Sequence, residues 1–479
     1  MTASLPRSTP EAQGVPSRAI AAFVDAAERD VQYLHSLVVA RRGHVIAEGY
    51  WAPFDGASPH MLFSLSKSFT SSAIGMLVGD GRLKVADKVL DFFPDEAPAN
   101  PSPYLRQMTV HNLLTMNSGH DVDPTRAIRQ AKVDWVRAFF EAPLVHEPGT
   151  RFVYNSGATY MCSAIAQKIT GQRLLDFLGP RLFEPLGIEN PTWEQSPQGI
   201  DTGGWGLKVR TAEIARFGQL YLQRGVWQGK RLIPEEWVAA ATSAQVPNAT
   251  PGNPNQGKPD WEQGYGYQFW RCRHNAYRGD GAHGQYCLVL PDQEVVIATT
   301  SGTVDLQRVL DLVWEHLLPA FGAVPLPADP AASDALEQRL AGLKLPTPTG
   351  AAASSTPRRG YTLDDNDAGV RQITFEDGAV VLDGQRLQLG YGEWIRGELS
   401  LPNFPSVGQP ASSKVAAAAA WTDERTLEIH LWSYETPFRN VWRCRFDGDR
   451  LHIDRELHPA GRLTPPLSPM EGRAAVPVA

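Results

Sequence analysis

Two pairs of β-forming runs lie far apart in the chain and enclose a long, mostly helical stretch. The first pair is residues 36–51, SLVVARRGHVIAEGYW, folded about an Arg-Gly pair. The second is QYCLVL and EVVIATT, joined by a Pro-Asp turn at 291–292 and followed by an amphipathic run over about 305–318. Turn residues between β-rich runs predict antiparallel hairpins. Strands at both ends, with helices between them, predict one antiparallel sheet closed by distant segments with a helical subdomain inserted.

The composition changes after residue 322, and this change predicts a domain boundary. Residues 323–359 are rich in Pro, Ala, Ser and Thr around one short helical run, SDALEQRLAGL, which predicts a linker. Short β-rich runs bounded by Gly, Asp or Pro then occupy 360–463 and predict a small all-β domain. We therefore predict a first domain over 1–322 and a tail over 464–479. A chain of 479 residues gives two to three domains at about 150 residues each.

The charge balance excludes some classes of partner. With 52 acidic and 45 basic residues the formal net charge is -7, so no basic field is available to hold a nucleic acid or an anionic membrane. The N-terminus lacks the pattern of a secretory signal and no run of about eighteen apolar residues occurs, which predicts a cytoplasmic protein. The 4 cysteines form no CxxC pair, so no zinc ribbon or disulfide framework is indicated.

The S-x-x-K sequence Ser64-Leu65-Ser66-Lys67 stands at the start of a helical pattern. Residues three apart are neighbours on a helix, so the Lys67 amine is expected beside the Ser64 hydroxyl. A serine becomes a nucleophile when a nearby base accepts its proton, and a lysine acts as that base only if its pKa is lowered. The alternative is that Ser64 caps the helix and Lys67 is a solvated lysine of its first turn.

Three further motifs follow in a fixed order: HNLLTMNSGH at 111–120, EPGTRFVYNSGATY at 147–160 and GAHGQYCLVLP at 281–291. Together with S-x-x-K, they make the chain resemble the serine hydrolases of the class C β-lactamase and penicillin-binding esterase family over roughly 9–321. The resemblance implies an α/β fold of the β-lactamase/transpeptidase type, in which helices flank an antiparallel sheet and a helical subdomain is added. The β-rich region at 360–463, which contains the sequence SYETPF, resembles the lipocalin-like β-barrel domain that some of these hydrolases carry.

The resemblance also implies catalytic roles. Ser64 matches the nucleophile, Lys67 its base, and Tyr154 the tyrosine of the Y-x-N element that moves protons among nucleophile, lysine and leaving group. The family's K-T-G element has no lysine here. Gly281 matches its glycine, and Ala282 matches the next residue, whose backbone N–H completes an oxyanion hole with the N–H of Ser64. Loss of the lysine weakens recognition of a substrate carboxylate.

Other positions are expected to contact the substrate. Ser156 stands where the Y-x-N element has asparagine, and Asn155 is displaced to the middle position. Trp205, in a glycine-rich stretch, is expected to form an apolar wall or to be a buried structural residue. His283 adjoins the expected oxyanion position and either shapes the pocket or is structural. These departures resemble the branch of esterases and 6-aminohexanoate-dimer hydrolases, which favours esters or linear amides over β-lactams.

The sequence therefore predicts a serine hydrolase that works through an acyl-enzyme on a small ester or amide, with no cofactor and no metal. Three alternatives stay open: a true β-lactamase, a D-amino-acid peptidase, or a catalytically silent penicillin-recognising module. We expect the C-terminal β domain either to pack over the entrance to the active site or to serve as a spacer that stabilises a homodimer.

Overall fold

The computed structural model describes residues 4–131, 133–352, 359–401, 404, 412–460 and 466–475. Its helices are α1 (Ser17–Asp30), α2 (Ser66–Gly79), α3 (Pro103–Gln107), α4 (Val110–Leu114), α5 (Thr125–Gln130), α6 (Trp135–Glu141), α7 (Ser156–Thr170), α8 (Leu174–Leu178), α9 (Glu184–Leu186), α10 (Thr211–Leu222), α11 (Glu235–Ala241), α12 (Leu306–Leu312) and α13 (Pro330–Ala341). The strands of the first half are β1 (Leu34–Arg41), β2 (His44–Tyr50), β3 (His60–Met61), β4 (Lys208–Val209), β5 (Val226–Trp227), β6 (Lys230–Arg231), β7 (Trp270–Arg271), β8 (Tyr277–Gly281), β9 (Gln285–Leu290) and β10 (Val295–Ser301). Those of the C-terminal region are β11 (Arg359–Leu363), β12 (Gln372–Glu376), β13 (Ala379–Leu382), β14 (Gln385–Gln388), β15 (Ile395–Ser400), β16 (Ser412–Asp423), β17 (Thr426–Ser433), β18 (Arg439–Asp447), β19 (Arg450–His458) and β20 (Met470–Ala474).

The two distant hairpins join in one sheet, as predicted. Its six antiparallel strands follow the order β2-β1-β10-β9-β8-β7, so β1 of the first hairpin pairs with β10 of the second, with Val39 opposite Ile297. Alternate side chains enter separate cores because successive residues of a strand face opposite sides. Val38 packs in the cluster that includes residues of α2, α7 and α10, whereas Val39 packs with residues of α1 and α12. The predicted β-lactamase/transpeptidase-like fold is confirmed.

The predicted linker contains a helix that docks on the first domain. Leu336 and Leu340 of α13 are buried in the same cluster as residues of α1 and the sheet. A Cβ on Gly49 of β2 would lie 2.9 Å from Leu340 Cδ2, so the helix lies directly against this edge strand. The short helix is therefore observed, and its apolar side chains belong to the core of the first domain. Residues 353–358 of the predicted linker lie outside the described residues.

The C-terminal strands form a ten-stranded antiparallel sheet in the order β14-β13-β12-β11-β20-β19-β18-β17-β16-β15. Its two end strands β14 and β15 come into contact, so the sheet is nearly closed, and the expected barrel-like all-β domain is confirmed. The prediction of a tail over 464–479 is corrected by β20. This strand pairs with both β11 and β19, and Met470 is buried among the barrel's apolar side chains.

Two further observations concern the whole of the described chain. Each of the four cysteines, Cys162, Cys272, Cys287 and Cys444, is buried as a free thiol. Among the helices of the described residues, none combines the length and the apolar character needed to cross a membrane.

Candidate active site

Ser64 lies in a single 3-10 turn, Phe63–Leu65, that leads directly into α2. The turn begins with an unusual backbone conformation, because Phe63 is a non-glycine residue with a φ of 48°. Ser64 is partly exposed, whereas the helix behind it is buried along most of its length. The first N–H groups of a helical segment have no acceptor within it, so the N–H of Ser64 is available to a developing negative charge.

Lys67 lies one helical turn after Ser64 and is only 1% exposed. Its Nζ is 3.4 Å from Ser64 Oγ, which confirms the proximity expected from the i,i+3 spacing. Burial disfavours the ammonium form and lowers the pKa of Lys67 to about 7, while the carboxylate of Asp123 acts in the opposite sense. The alternative of a solvated first-turn lysine is thus wrong. Near neutral pH, a large share of Lys67 is a free amine that is able to accept a proton.

Two further contacts orient the Lys67 amine. Nζ donates to the carbonyl oxygen of Gly204 at 2.8 Å and to Ser156 Oγ at 2.9 Å. A neutral amine has two N–H donors and one lone pair. When Gly204 and Ser156 take the two donors, the lone pair is left facing Ser64, which is the arrangement required for removal of the hydroxyl proton.

Tyr154 borders the same pair of groups. Its phenol interacts with the Ser64 hydroxyl, and Lys67 Nζ lies 5.1 Å from the centre of its ring. The ring packs against Trp270, and the Tyr154 N–H donates to the carbonyl of Gly252 at 3.0 Å. Burial raises the pKa of Tyr154 above its ordinary value, so the phenol stays protonated at neutral pH. Of the two groups beside Ser64, Lys67 is therefore the one suited to accept a proton at neutral pH, and Tyr154 is suited to passing a proton onward.

Strand β8 lies against the turn that carries Ser64, and glycines permit this approach. An ideal Cβ on Gly281 would lie 2.1 Å from the carbonyl oxygen of Leu62, and one on Gly279 would lie 2.3 Å from Leu65 Cδ1. If Gly281 matches the glycine of K-T-G, as the resemblance implies, Gly279 matches its lysine, and a glycine has no side chain to project there. Ala282 directly follows β8 and is partly exposed, in the same neighbourhood as Ser64.

The structure separates the two residues expected at the Y-x-N element. Ser156 is partly exposed and bonds to Lys67 Nζ, so it lies within the site. Asn155 is 0% exposed, and its Oδ1 accepts from the N–H of Ala158 as the N-cap of α7. Its Nδ2 donates to Ser118 Oγ at 3.2 Å. The prediction that Asn155 contacts the substrate is corrected, because its side chain is enclosed and fixes the start of α7.

Trp205 and His283 flank the site from two sides. Trp205 is partly exposed one residue after Gly204, whose carbonyl accepts from Lys67, and packs against Trp135. The His283 ring makes an edge contact with Phe63, with 5.5 Å between centres, and burial lowers its pKa to about 4. The ring is therefore neutral at physiological pH, which fits a packing role.

Sequence reasoning missed one group of the site and one residue that packs behind it. The Gly204 carbonyl that holds Lys67 carries no signal of its own, because any residue has a carbonyl. Phe438, from the loop between β17 and β18, packs against Phe63 and His283, and nothing in local sequence links it to Ser64. As for metals, no group of three or more His, Cys, Asp or Glu side chains in the described part of the chain is arranged to hold an ion.

The chain is similar to known proteins in sequence and in fold. The family profile described as Beta-lactamase matches residues 25–315, which is more than half of the chain. The chain is similar to the 6-aminohexanoate-dimer hydrolase of Paenarthrobacter ureafaciens, with 27% identity over 292 residues that cover 56% of this chain and 73% of the relative.

Two solved structures are similar in fold. The first is from Bacillus anthracis, provisionally assigned as a 6-aminohexanoate-dimer hydrolase, and has a TM-score of 0.54 at 20% identity, covering 68% of this chain and 89% of its own. The second is the octameric penicillin-binding protein homologue from Pyrococcus abyssi, with a TM-score of 0.50 at 15% identity. It covers 95% of this chain and 99% of its own, and so extends over both the sheet region and the C-terminal strands.

Proposed function

The chain belongs to the Beta-lactamase family and is a serine hydrolase, and within that family we propose that it cleaves esters or linear amides through an acyl-enzyme on Ser64. One observation carries the proposal: the buried Lys67 amine, with a pKa near 7, lies 3.4 Å from Ser64 Oγ. Burying a charged lysine is costly, so the lysine tends to become neutral, and a pKa close to the working pH is what a general base requires.

Acylation begins when Ser64 Oγ attacks the substrate carbonyl carbon and its proton passes to Lys67 Nζ. The carbonyl oxygen becomes an oxyanion, which accepts hydrogen bonds from the N–H groups of Ser64 and Ala282. As the bond to the leaving group breaks, the Tyr154 phenol gives that group its proton and regains one from Lys67. The products of this step are a Ser64 ester and a free alcohol or amine.

Deacylation repeats the sequence with water in place of serine. Lys67, through Tyr154, accepts a proton as the water oxygen attacks the acyl carbon, and the same two amides hold the second oxyanion. Collapse of this intermediate returns the proton to Ser64 Oγ and releases the carboxylic acid. No cofactor takes part in this proposal.

The proposed substrate preference follows from two positions at which the chain differs from the family's motifs, the lysine of K-T-G and the asparagine of Y-x-N. Gly279 replaces the lysine that would bind a substrate carboxylate, and the Ser156 hydroxyl is engaged by Lys67. Asn155 is enclosed and offers no amide to a substrate. A β-lactam would thus lose polar anchors at both of these positions, whereas simple esters and linear amides require neither. The similarity to a 6-aminohexanoate-dimer hydrolase supports the inclusion of linear amides.

The substrate proposal is tested by comparing four substrates on the wild-type protein: p-nitrophenyl butyrate, the linear dimer of 6-aminohexanoate, nitrocefin and D-alanine p-nitroanilide. We expect kcat/KM for the ester to exceed that for nitrocefin by at least about 10²-fold, because the polar anchors are missing. Nitrocefin turnover that rivals the ester would favour a β-lactamase, and release of the D-residue would favour a D-amino-acid peptidase. A folded protein that turns over none of the four and is not labelled by a fluorophosphonate would favour the penicillin-recognising module.

The pH dependence tests the role of Lys67. We expect kcat/KM for p-nitrophenyl butyrate to rise with pH and to reach half of its plateau near pH 7, because only the neutral amine accepts the Ser64 proton and the pKa of Lys67 is about 7. Below that pH, the rate should fall about tenfold per pH unit. The profile is measured at the isosbestic wavelength of p-nitrophenol. The exposed-lysine variant Lys84→Met serves as a control that keeps the profile, and a flat wild-type profile between pH 6 and 8 would contradict the assignment of Lys67 as base.

A further inference from the structure

The loop between β17 and β18, residues 434–438, reaches from the C-terminal domain to the hydrolase site. It is a tight turn, held by the N–H of Ser433 donating to the Phe438 carbonyl at 3.0 Å and by the N–H of Phe438 donating to Thr436 Oγ1 at 3.2 Å. The three residues at 436–438 are buried, and Phe438 is only 2% exposed. The loop is thus preorganised and enclosed.

The loop also binds the strand that leads to Ser64. The N–H of Met61, in β3, donates to the backbone carbonyl of Glu435 at 2.8 Å. The Glu435 carboxylate pairs with Lys208 on β4, the partner strand of β3, at 3.3 Å and with Lys414 on β16 at 3.1 Å. One residue therefore ties β3 and β4 of the first domain to the barrel.

The Phe438 ring completes a cluster of three rings with Phe63 and His283. The ring centres are 6.3 Å apart for Phe438 and Phe63, 6.2 Å for Phe438 and His283, and 5.5 Å for Phe63 and His283, all in edge contacts. Phe63 directly precedes Ser64, and His283 directly follows Ala282. The C-terminal domain thus contacts the chain neighbours of both N–H groups that the proposed mechanism assigns to the oxyanion.

Both of these neighbours have a backbone conformation that non-glycine residues rarely adopt. The φ angle is 48° for Phe63 and 67° for His283. Such conformations persist only where the surrounding structure holds them, and here the surrounding structure includes Phe438. Since Phe438 is enclosed, it acts on these two residues from behind and is not exposed to a substrate.

We propose that the 434–438 loop is a positioning element of the hydrolase site. Through Phe438, the C-terminal domain holds Phe63 and His283 in place, and this orients the N–H groups of Ser64 and Ala282 toward the oxyanion. This inference rests on the proposed function. It assigns the barrel a direct part in catalysis, and Phe438 is a positioning residue because it acts through its two ring partners.

The test compares Phe438→Ala with two other variants. Phe438→Tyr keeps the ring, and Phe446→Ala removes a matched ring further along β18 that packs against Phe375 and Trp421 inside the barrel. For p-nitrophenyl butyrate we expect kcat of Phe438→Ala to fall by about 10- to 100-fold with little change in KM, because misplaced oxyanion donors weaken only the transition state. Labelling of Ser64 by a fluorophosphonate, in which Oγ displaces fluoride from phosphorus, should slow to a similar extent. Phe438→Tyr and Phe446→Ala should stay near the wild-type kcat.

Three results would overturn the proposal: an unchanged kcat in Phe438→Ala, an increase in KM alone, which would make the loop a substrate wall, or an equal loss of kcat in Phe446→Ala. Hydrogen exchange of the peptide covering 60–66 gives a readout independent of activity. Faster exchange in Phe438→Ala than in Phe446→Ala supports the positioning role, and equal exchange refutes it. Absence of both turnover and labelling in the wild type would instead refute the proposed function, while the exchange result still decides the positioning role.

Discussion

Ser64→Ala is expected to reduce kcat/KM for p-nitrophenyl butyrate by at least about 10⁴-fold, because no other group in the site forms the covalent bond to the acyl carbon. The hydroxyl is partly exposed and its loss leaves no enclosed cavity, so the unfolding temperature should stay close to that of the wild type. Hydrolysis and thermal unfolding are measured on the same preparations, together with the mass increase on incubation with a fluorophosphonate, which the variant should lose.

A matched control for this variant exists on the same helix. Ser71 in α2 is fully buried, and its hydroxyl has no hydrogen-bond partner among the described residues. Ser71→Ala therefore makes the same chemical change seven residues after Ser64, about two turns further along α2, and should keep wild-type activity. Substantial ester turnover by folded Ser64→Ala, or an equal loss in Ser71→Ala, would contradict the assignment of Ser64 as nucleophile.

Lys67→Met is expected to lower kcat/KM by about 10²- to 10⁴-fold, the usual contribution of a general base. The methionine keeps an unbranched side chain and removes the amine, so Ser64 loses its proton acceptor while the packing of α2 changes little. Because a charged lysine is costly to bury, this variant should be at least as stable as the wild type below pH 7, where the native Lys67 is protonated. Thermal unfolding at pH 6 and ester hydrolysis at pH 8 measure the two effects.

Lys67→Arg separates charge from proton transfer. Arginine keeps a cation beside Ser64 and remains protonated throughout the working pH range, so it is unable to act as the base. We expect activity as low as that of Lys67→Met and a lower unfolding temperature, since the larger cation has to fit against Gly204 and Ser156. Recovery of activity in Lys67→Arg would mean that Lys67 contributes its charge and not its basicity, and would refute the proton-transfer role.

Much of the fold follows from local patterns in the sequence. The apolar residues Leu65, Phe69, Ala73 and Leu77, spaced every four residues, are typical of a helix, and all four are fully buried. The turn residues at 291–292 predicted the second hairpin. The strand at 470–474 was missed because the segment before it is rich in proline, and its place between β11 and β19 depends on partners far away in the chain.

Likewise, one contact of the candidate site could be predicted from the sequence and another could not. The i,i+3 spacing of Ser64 and Lys67 is a property of the helix, so the sequence was sufficient to bring these two groups together. The environment of Asn155 was not predictable, because an asparagine before a helix serves equally well as an N-cap or as a binding residue. Its contact with Ser118 depends on how α7 packs against a loop from another part of the chain.

The sequence by itself determined the two hairpins, the family resemblance and the S-x-x-K pair, because each depends on spacing along the chain. Only the tertiary structure decided the chemistry of Lys67. Distant segments such as the loop around Gly204 bury its side chain, and this burial lowers the pKa of Lys67 to about 7. The packing of Phe438 against Phe63 is likewise a long-range contact, made by side chains with no local relation. Desolvation and packing both arise when distant segments exclude water together, and for that reason neither is encoded at any single position.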